Sequence, residues 1–236
     1  MSEELEVLKV VAMRLATAGI PYMVTGSMAV NYYAVPRMTR DIDVVVELLP
    51  GDIDRICNIF QHDFYVDREA VQRSIEERGM FNIIHNAFVI KIDFVVRKDS
   101  DYRREEFSRR RRVSVEGREL FMAAPEDLII SKLDWARESR SEVQFADVMN
   151  DTDSEIEQKF LAMLLERSGE ERLKMGCSMH ATAQALVKAS VLEKDPLASP
   201  AALRQALFLR FYGHEFDAET REKILLAVEG VGRQSR

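Results

Sequence analysis

Thr25-Gly26-Ser27, Arg37-Met38-Thr39-Arg40-Asp41-Ile42-Asp43 and Lys91-Ile92-Asp93-Phe94 are the stretches that decide how this chain folds. Side chains two residues apart on a β-strand share a face, so Asp41 and Asp43 project together while Ile42, Val44 and Val46 turn toward a core. Two carboxylates held side by side repel, and a cation relieves the cost. A third carboxylate at Asp93, on a strand with the same alternation, completes a hard-oxygen set suited to Mg²⁺. Gly26-Ser27 lies between a strand-like run, Tyr22 to Val24, and a helix-like run from Met28, where free backbone N–H groups can receive a phosphate.

Gly-Ser, then Asp-x-Asp, then a distant third carboxylate resembles the signature of the nucleotidyltransferase superfamily, which has a polymerase-β-like fold. The spacing from Gly26 through Arg37-x-Thr39-x-Asp41-Ile42-Asp43 is most similar to small bacterial members related to the AbiEii-type toxins of toxin–antitoxin systems. Pro125-Glu126-Asp127-Leu128-Ile129-Ile130-Ser131-Lys132-Leu133-Asp134-Trp135, followed by Ser141 to Gln144 and Asp147-Val148, is similar to a block these proteins carry after the core sheet. The resemblance covers about residues 5–150 and stops there.

The resemblance implies an α/β (α+β) fold with a mixed sheet flanked by helices. It also implies transfer of a nucleotide monophosphate from an NTP to an acceptor hydroxyl, dependent on Mg²⁺ or Mn²⁺. Asp41 and Asp43 are then the ligands of the metal that bridges the phosphates. Asp93 joins them on a second metal and helps to deprotonate the attacking group. Gly26 and Ser27 hold the β- and γ-phosphates, and Lys132 neutralises the triphosphate. Arg37 is a further nucleotide-binding candidate, and one of Arg37 and Arg40 is expected to pair with the acidic cluster.

Lys132 also stands out on a helical wheel. With Pro125 at a favoured first-turn position, Leu128, Ile129, Leu133 and Ala136 define an apolar arc, and Lys132 falls inside it. An inward ammonium needs a carboxylate or a ligand phosphate, unless its stem merely covers apolar surface on the way to solvent.

The 236 residues are 47% hydrophobic and 31% charged, the composition of a globular chain with a sizeable core. No run approaches the ~20 apolar residues of a membrane helix, and the acidic start Met1-Ser2-Glu3-Glu4 is unlike a basic signal peptide. A cytoplasmic location and no membrane partner are the expectation. Cys57 and Cys177 are too few for a disulfide framework and read as small buried apolar residues. A net charge of −7 argues against general nucleic-acid binding. One segment departs from this: Arg97, Lys98, Arg103, Arg104 and Arg109 to Arg112 outnumber Asp99, Asp101, Glu105 and Glu106 by four. Arg103 to Arg112 is thus a candidate surface for an RNA or protein acceptor, or a solvated hairpin.

Periodicity predicts a helix through Leu5, Leu8, Val11, Ala12 and Leu15, then strand, Gly-Ser turn, short helix and a strand from Asp41 to Glu47. A helix carrying Ile53, Ile56, Ile59 and Phe60 precedes strands at Met80–His85 and Phe88–Val96, joined as a tight hairpin at Asn86-Ala87. Strands at Arg111–Val115 and Leu120–Met122 complete this part. The turn-rich stretch Asn150 to Asp153 divides a domain of residues 1–150 from a helical domain of residues 151–236. That second domain reads as helices at Glu155–Glu166, Glu170 to about Val191, Pro200–Phe211 and Ala218–Glu229, with Ser199 and Asp217 as caps. Met175 and Met179 are expected in its core, and His180 and His214 have no partner at metal-ligand spacing. The helices hold no evident nucleophile or base and suit recognition of a partner protein or the acceptor. A second function class therefore stands beside the enzyme: a catalytically inactive nucleotidyltransferase-like scaffold that acts as a protein-binding module.

Overall fold

Burial alternates strictly along Asp41–Val46, with Ile42, Val44 and Val46 buried and Asp41, Asp43 and Val45 half-buried, as period-2 patterning requires. The computed structural model describes residues 2–131 and 154–231. In chain order the elements are α1 (Glu3–Thr17), β1 (Tyr22–Val24), α2 (Gly26–Tyr33), β2 (Asp41–Val46), α3 (Ile53–Phe60), β3 (Phe64–Val66), α4 (Arg68–Glu77), β4 (Met80–His85), β5 (Lys91–Val96), α5 (Asp101–Ser108), β6 (Arg111–Val115) and β7 (Arg118–Met122). A helix α6, described over 125–131, follows. Then come α7 (Ser154–Leu165), α8 (Gly169–Lys194), α9 (Pro200–Phe211) and α10 (Ala218–Glu229).

The seven strands form one mixed sheet in the order β3-β4-β5-β2-β1-β7-β6. β2 lies at its centre, parallel to β5 and antiparallel to β1. The parallel register sets Asp41 beside Lys91 and Asp43 beside Asp93. Helices flank this sheet, so the chain has the α/β architecture expected. The main core joins Leu5, Leu8 and Leu15 of α1 and Phe60 of α3 to Val44, Phe94 and Met122 of the sheet.

Leu173 and Cys177 of α8 belong to that same core. A second cluster sets Ile84 and Val89 of the β4–β5 region against Leu207, Phe208, Tyr212, Ile224 and Val228. Polar contacts reinforce the docking. Arg172 donates to the carbonyl of Tyr32 at 2.7 Å, and His180 Nδ1 stands 2.6 Å from the buried Glu4 carboxylate. Gly176 is needed where α8 crosses α2, because a Cβ there would stand 2.0 Å from Asn31 Nδ2. The C-terminal helices begin and end where capping chemistry predicts. Ser168 and Glu171 form a capping box, while Ser199 and Asp217 accept from the backbone N–H groups of Ala202 and Thr220. Both cysteines are buried and free.

Several local expectations are corrected. Asp101–Ser108 is a helix capped by Ser100, not part of a hairpin. The β4–β5 connection runs over residues 86–90, closed by Val89 N–H to the His85 carbonyl at 2.8 Å, so β5 begins at Lys91 and not at Phe88. β3 and the Asp67-capped α4 lacked a readable pattern, the strand because it is three residues long. Met179 is exposed, and so is Ile129, because α6 turns Asp127 and Leu128 inward instead. Lys132, Leu133, Ala136 and the 150–153 link lie outside the described residues. Among the described residues no helix is long and apolar enough to cross a membrane.

Candidate active site

Gly26 follows β1 with φ +59° and opens α2 beside β2. A Cβ at this position would stand 1.9 Å from Asp43 Oδ2, so only glycine lets the carboxylate reach the helix N-terminus. There the backbone N–H of Ser27 lies near enough to Asp43 to favour its charged form, against the larger effects of burial and the neighbouring carboxylates. The start of α2, where a phosphate is expected, thus lies against a carboxylate of the chain itself. Ser27 Oγ accepts from Arg37 Nη2 at 2.9 Å, which brings two of the predicted nucleotide-binding residues together.

The loop before β2 is fixed from both sides. Buried Asn31 donates to the carbonyl of Arg37 at 2.8 Å and accepts its N–H at 2.9 Å. Thr39 Oγ1, also buried, donates to the Asp41 carbonyl at 3.1 Å. The Arg-x-Thr-x-Asp-x-Asp spacing therefore delivers Asp41 and Asp43 with a constrained entry, and Arg37 stands at the mouth.

Asp41, Asp43 and Asp93 are gathered as expected, and the register adds Lys91. Its ammonium lies 3.0 Å from Asp93 Oδ2, 3.5 Å from Asp41 Oδ2 and 2.5 Å from Glu215 Oε2. Its Nζ also lies 5.7 Å from the centre of the Tyr212 ring. Glu215 and Tyr212 come from the turn between α9 and α10. The Tyr212 hydroxyl donates to the Arg40 carbonyl, while Arg40 donates to the Phe211 carbonyl at 2.8 Å and stands 3.6 Å from Glu215. So Arg40 reaches Glu215 and not the Asp41, Asp43 and Asp93 cluster that one of Arg37 and Arg40 is expected to meet.

One ammonium does not neutralise this group. Burial, added to the charges of Asp41 and Asp93, pushes the Asp43 carboxyl up to about 6. Burial also raises Asp93 against the pull of Lys91, and Asp93 Oδ1 is buried with no hydrogen-bond partner. For Lys91, burial works against the charge, but Asp93, Glu215 and Asp41 outweigh it and the ammonium is held. As placed, no three His, Cys, Asp or Glu among the described residues are close enough together to hold a metal. The donor chemistry still fits a divalent cation: hard oxygens, excess negative charge and an orphaned buried carboxylate oxygen. The fit requires Lys91 to yield its contacts.

Lys91, Tyr212 and Glu215 escaped sequence reasoning. Lys91 was within reach of it, since residues i and i+2 share a strand face and Lys91 precedes Asp93 by two. Nothing in the sequence marks Tyr212 or Glu215, which lie more than a hundred residues further along the chain.

The arginine-rich segment is arranged differently. Arg103 binds Glu106 and Ser131, Arg109 takes Asp127 in a bidentate pair, and Arg104 binds Asp99. Arg110 lies over the rings of Phe107 and Phe121 at 4.4 and 5.0 Å. Arg111 and Arg112, on the edge strand β6, reach Glu126 and Glu119 at 3.0 and 3.4 Å with half or more of each guanidinium side chain exposed.

No protein-family model and no curated protein matches the chain. Among solved structures, the crystal structure of a presumed nucleotidyltransferase from Thermotoga maritima is similar, with 18% sequence identity and a TM-score of 0.44. The match covers 62% of this chain and 92% of that one.

Proposed function

We propose that the chain is a nucleotidyltransferase that moves a nucleotide monophosphate from an NTP to an acceptor hydroxyl. The observation that carries this reading is the β2–β5 register, which sets Asp43 beside Asp93, two residues from Asp41 on the same strand face, at the N-terminus of α2. Asp41, Asp43 and Asp93 would hold Mg²⁺ or Mn²⁺, which supplies positive charge to the phosphates and the leaving pyrophosphate.

The chain's own groups do the rest. Ser27 Oγ and Arg37 are placed to orient phosphate oxygens, with Gly26 leaving room for the close approach. The acceptor oxygen attacks the α-phosphorus, the bond from that phosphorus to the pyrophosphate oxygen breaks, and the acceptor proton passes to Asp93 Oδ1. That atom is unpartnered, and a carboxyl raised by burial is a better base than an exposed one. Lys132 is proposed to meet the departing pyrophosphate. Arg111 and Arg112 are the proposed acceptor contacts, since exposed ion pairs exchange readily for a ligand anion. The AbiEii-like spacing supports a toxin–antitoxin setting.

Radiolabelled NTPs offered in turn with Mg²⁺ to a cell extract containing the protein test this reading. Label on a macromolecule, lost with Asp41→Asn, is expected; no transfer from any NTP overturns it.

One observation favours a second reading, an inactive scaffold. Lys91 already serves the carboxylates as a cation, and the C-terminal part of the chain exposes Leu186 and Leu226 on its helices and Leu197 on the turn before α9 as apolar contacts for a partner protein. An enzyme gains about 2.7 kcal/mol of stability from Mg²⁺-NTP at one hundred times its Kd. A scaffold gains none.

A further inference from the structure

Lys91 has no task in the transfer chemistry above, yet it holds the centre of the site. Its ammonium touches Asp41 Oδ2 and Asp93 Oδ2, the oxygens a divalent cation would need. Two cations cannot share those oxygens in a poorly solvated site without strong repulsion. The shortest contact of the ammonium points the other way, to Glu215 at 2.5 Å, with the Tyr212 ring on its flank. The turn that carries both residues is anchored at the entry to β2, through Arg40 to the Phe211 carbonyl and the Tyr212 hydroxyl to the Arg40 carbonyl. Glu215 is therefore fixed relative to the carboxylates by bonds that do not involve Lys91.

We propose that Lys91 is the resident counter-ion of the carboxylate site, and that Glu215 is a positioning residue that draws it aside when a divalent cation enters. Lys91 then has a partner in both states: shared among Asp41, Asp93 and Glu215 in the cation-free site, and held by Glu215 alone in the loaded one. The helical module thereby sets the cation affinity of a site built on the sheet. The proposal rests on the nucleotidyltransferase reading only in that the carboxylates bind a divalent cation.

Mn²⁺ alone, titrated into the full-length chain and followed by calorimetry, tests it without any turnover. Lys91→Met should bind Mn²⁺ about tenfold or more tightly than wild type, because a competing charge is gone. Glu215→Gln should bind roughly three- to tenfold more weakly, because the lysine falls back on the aspartates. In the Lys91→Met background the Glu215→Gln effect should largely vanish, as expected of a residue acting through another. A merely structural role would not move affinity in opposite directions. Unchanged or weakened binding in Lys91→Met overturns the proposal, and so does Glu215→Gln with wild-type affinity, which serves alone if Lys91→Met does not fold. Binding that is equal in all variants sinks this proposal and spares the nucleotidyltransferase reading. Failure of every protein to bind Mn²⁺ overturns both.

Discussion

The two charged regions of this molecule are built in opposite ways. In the Arg103–Arg112 segment the cations are matched one by one: Glu106, Asp99, Asp127, Glu126 and Glu119 each meet an arginine, and Arg110 lies over aromatic rings. At the β2–β5 site the ammonium of Lys91 meets Asp41, Asp93 and Glu215, the guanidinium of Arg40 meets Glu215, and Asp43 meets neither cation within ion-pair distance. A folded chain gains nothing from keeping like charges crowded and partly buried. An arginine run that sequence composition singles out is thus mostly paired within the chain, while the charge left in excess lies at the proposed site.

Four measurements test that contrast, beginning with the largest effect. Asp41→Asn or Asp43→Asn should lower nucleotide transfer by roughly 10²–10³-fold or more while the fold is kept, as for loss of a preorganised charge at a reacting phosphate. Transfer retained at the wild-type rate would place the chemistry elsewhere.

The second is read in stability. Asp43 binds its proton more readily in the folded protein, with a carboxyl near 6, than in the unfolded chain. Its contribution to stability is therefore full at acid pH and is lost as pH rises through about 6. Asp43→Asn should consequently exceed wild type at pH 8 by on the order of 3 kcal/mol. That margin should fall to about half at pH 5 and close only as the pH drops below the ordinary Asp value of 3.8. A constant margin across denaturant titrations at both pH values would mean that charge crowding is not its source.

In the braced region the sign reverses. Asp127 is buried against Arg109, and Asp127→Asn should cost about 2 kcal/mol of stability with little change in nucleotide binding. A neutral or stabilising result would show that this pair is not bracing. Smallest of all, Arg111→Gln and Arg112→Gln should change stability by less than about 0.5 kcal/mol, the usual worth of exposed pairs. If they contact an acceptor, its KM should rise while NTP affinity stays put. An unchanged KM would leave the edge strand without a role in acceptor binding.

Much of the site was legible because its signals are local. The alternation Asp41-Ile42-Asp43 and the apolar neighbours of Asp93 follow from strand geometry alone, and a glycine before a helix start marks a close approach. Helix ends at Ser199 and Asp217 are read the same way, since a cap acts within one turn of itself. Where local signals conflict or are short, the reading fails. Ile129 sits in an apparent apolar arc but is exposed, because the pull of Arg109 on Asp127 and the burial of Leu128 set the rotation of α6. The hairpin read into the arginine segment gives way to α5, whose Ser100 cap and Phe107 anchor are single residues in a polar run.

The sequence by itself determined that three carboxylates would lie on strand faces and that a glycine turn would stand before them, since both follow from dihedral geometry and residue size. Only the tertiary structure decided which strands are neighbours, and hence that Lys91 pairs across to Asp41 and meets Asp93. It also decided that a turn near the C-terminus supplies Glu215 and Tyr212. Pairing register and helix docking are set by the burial of the whole core, a sum over many distant residues, and no local stretch of sequence contains that sum.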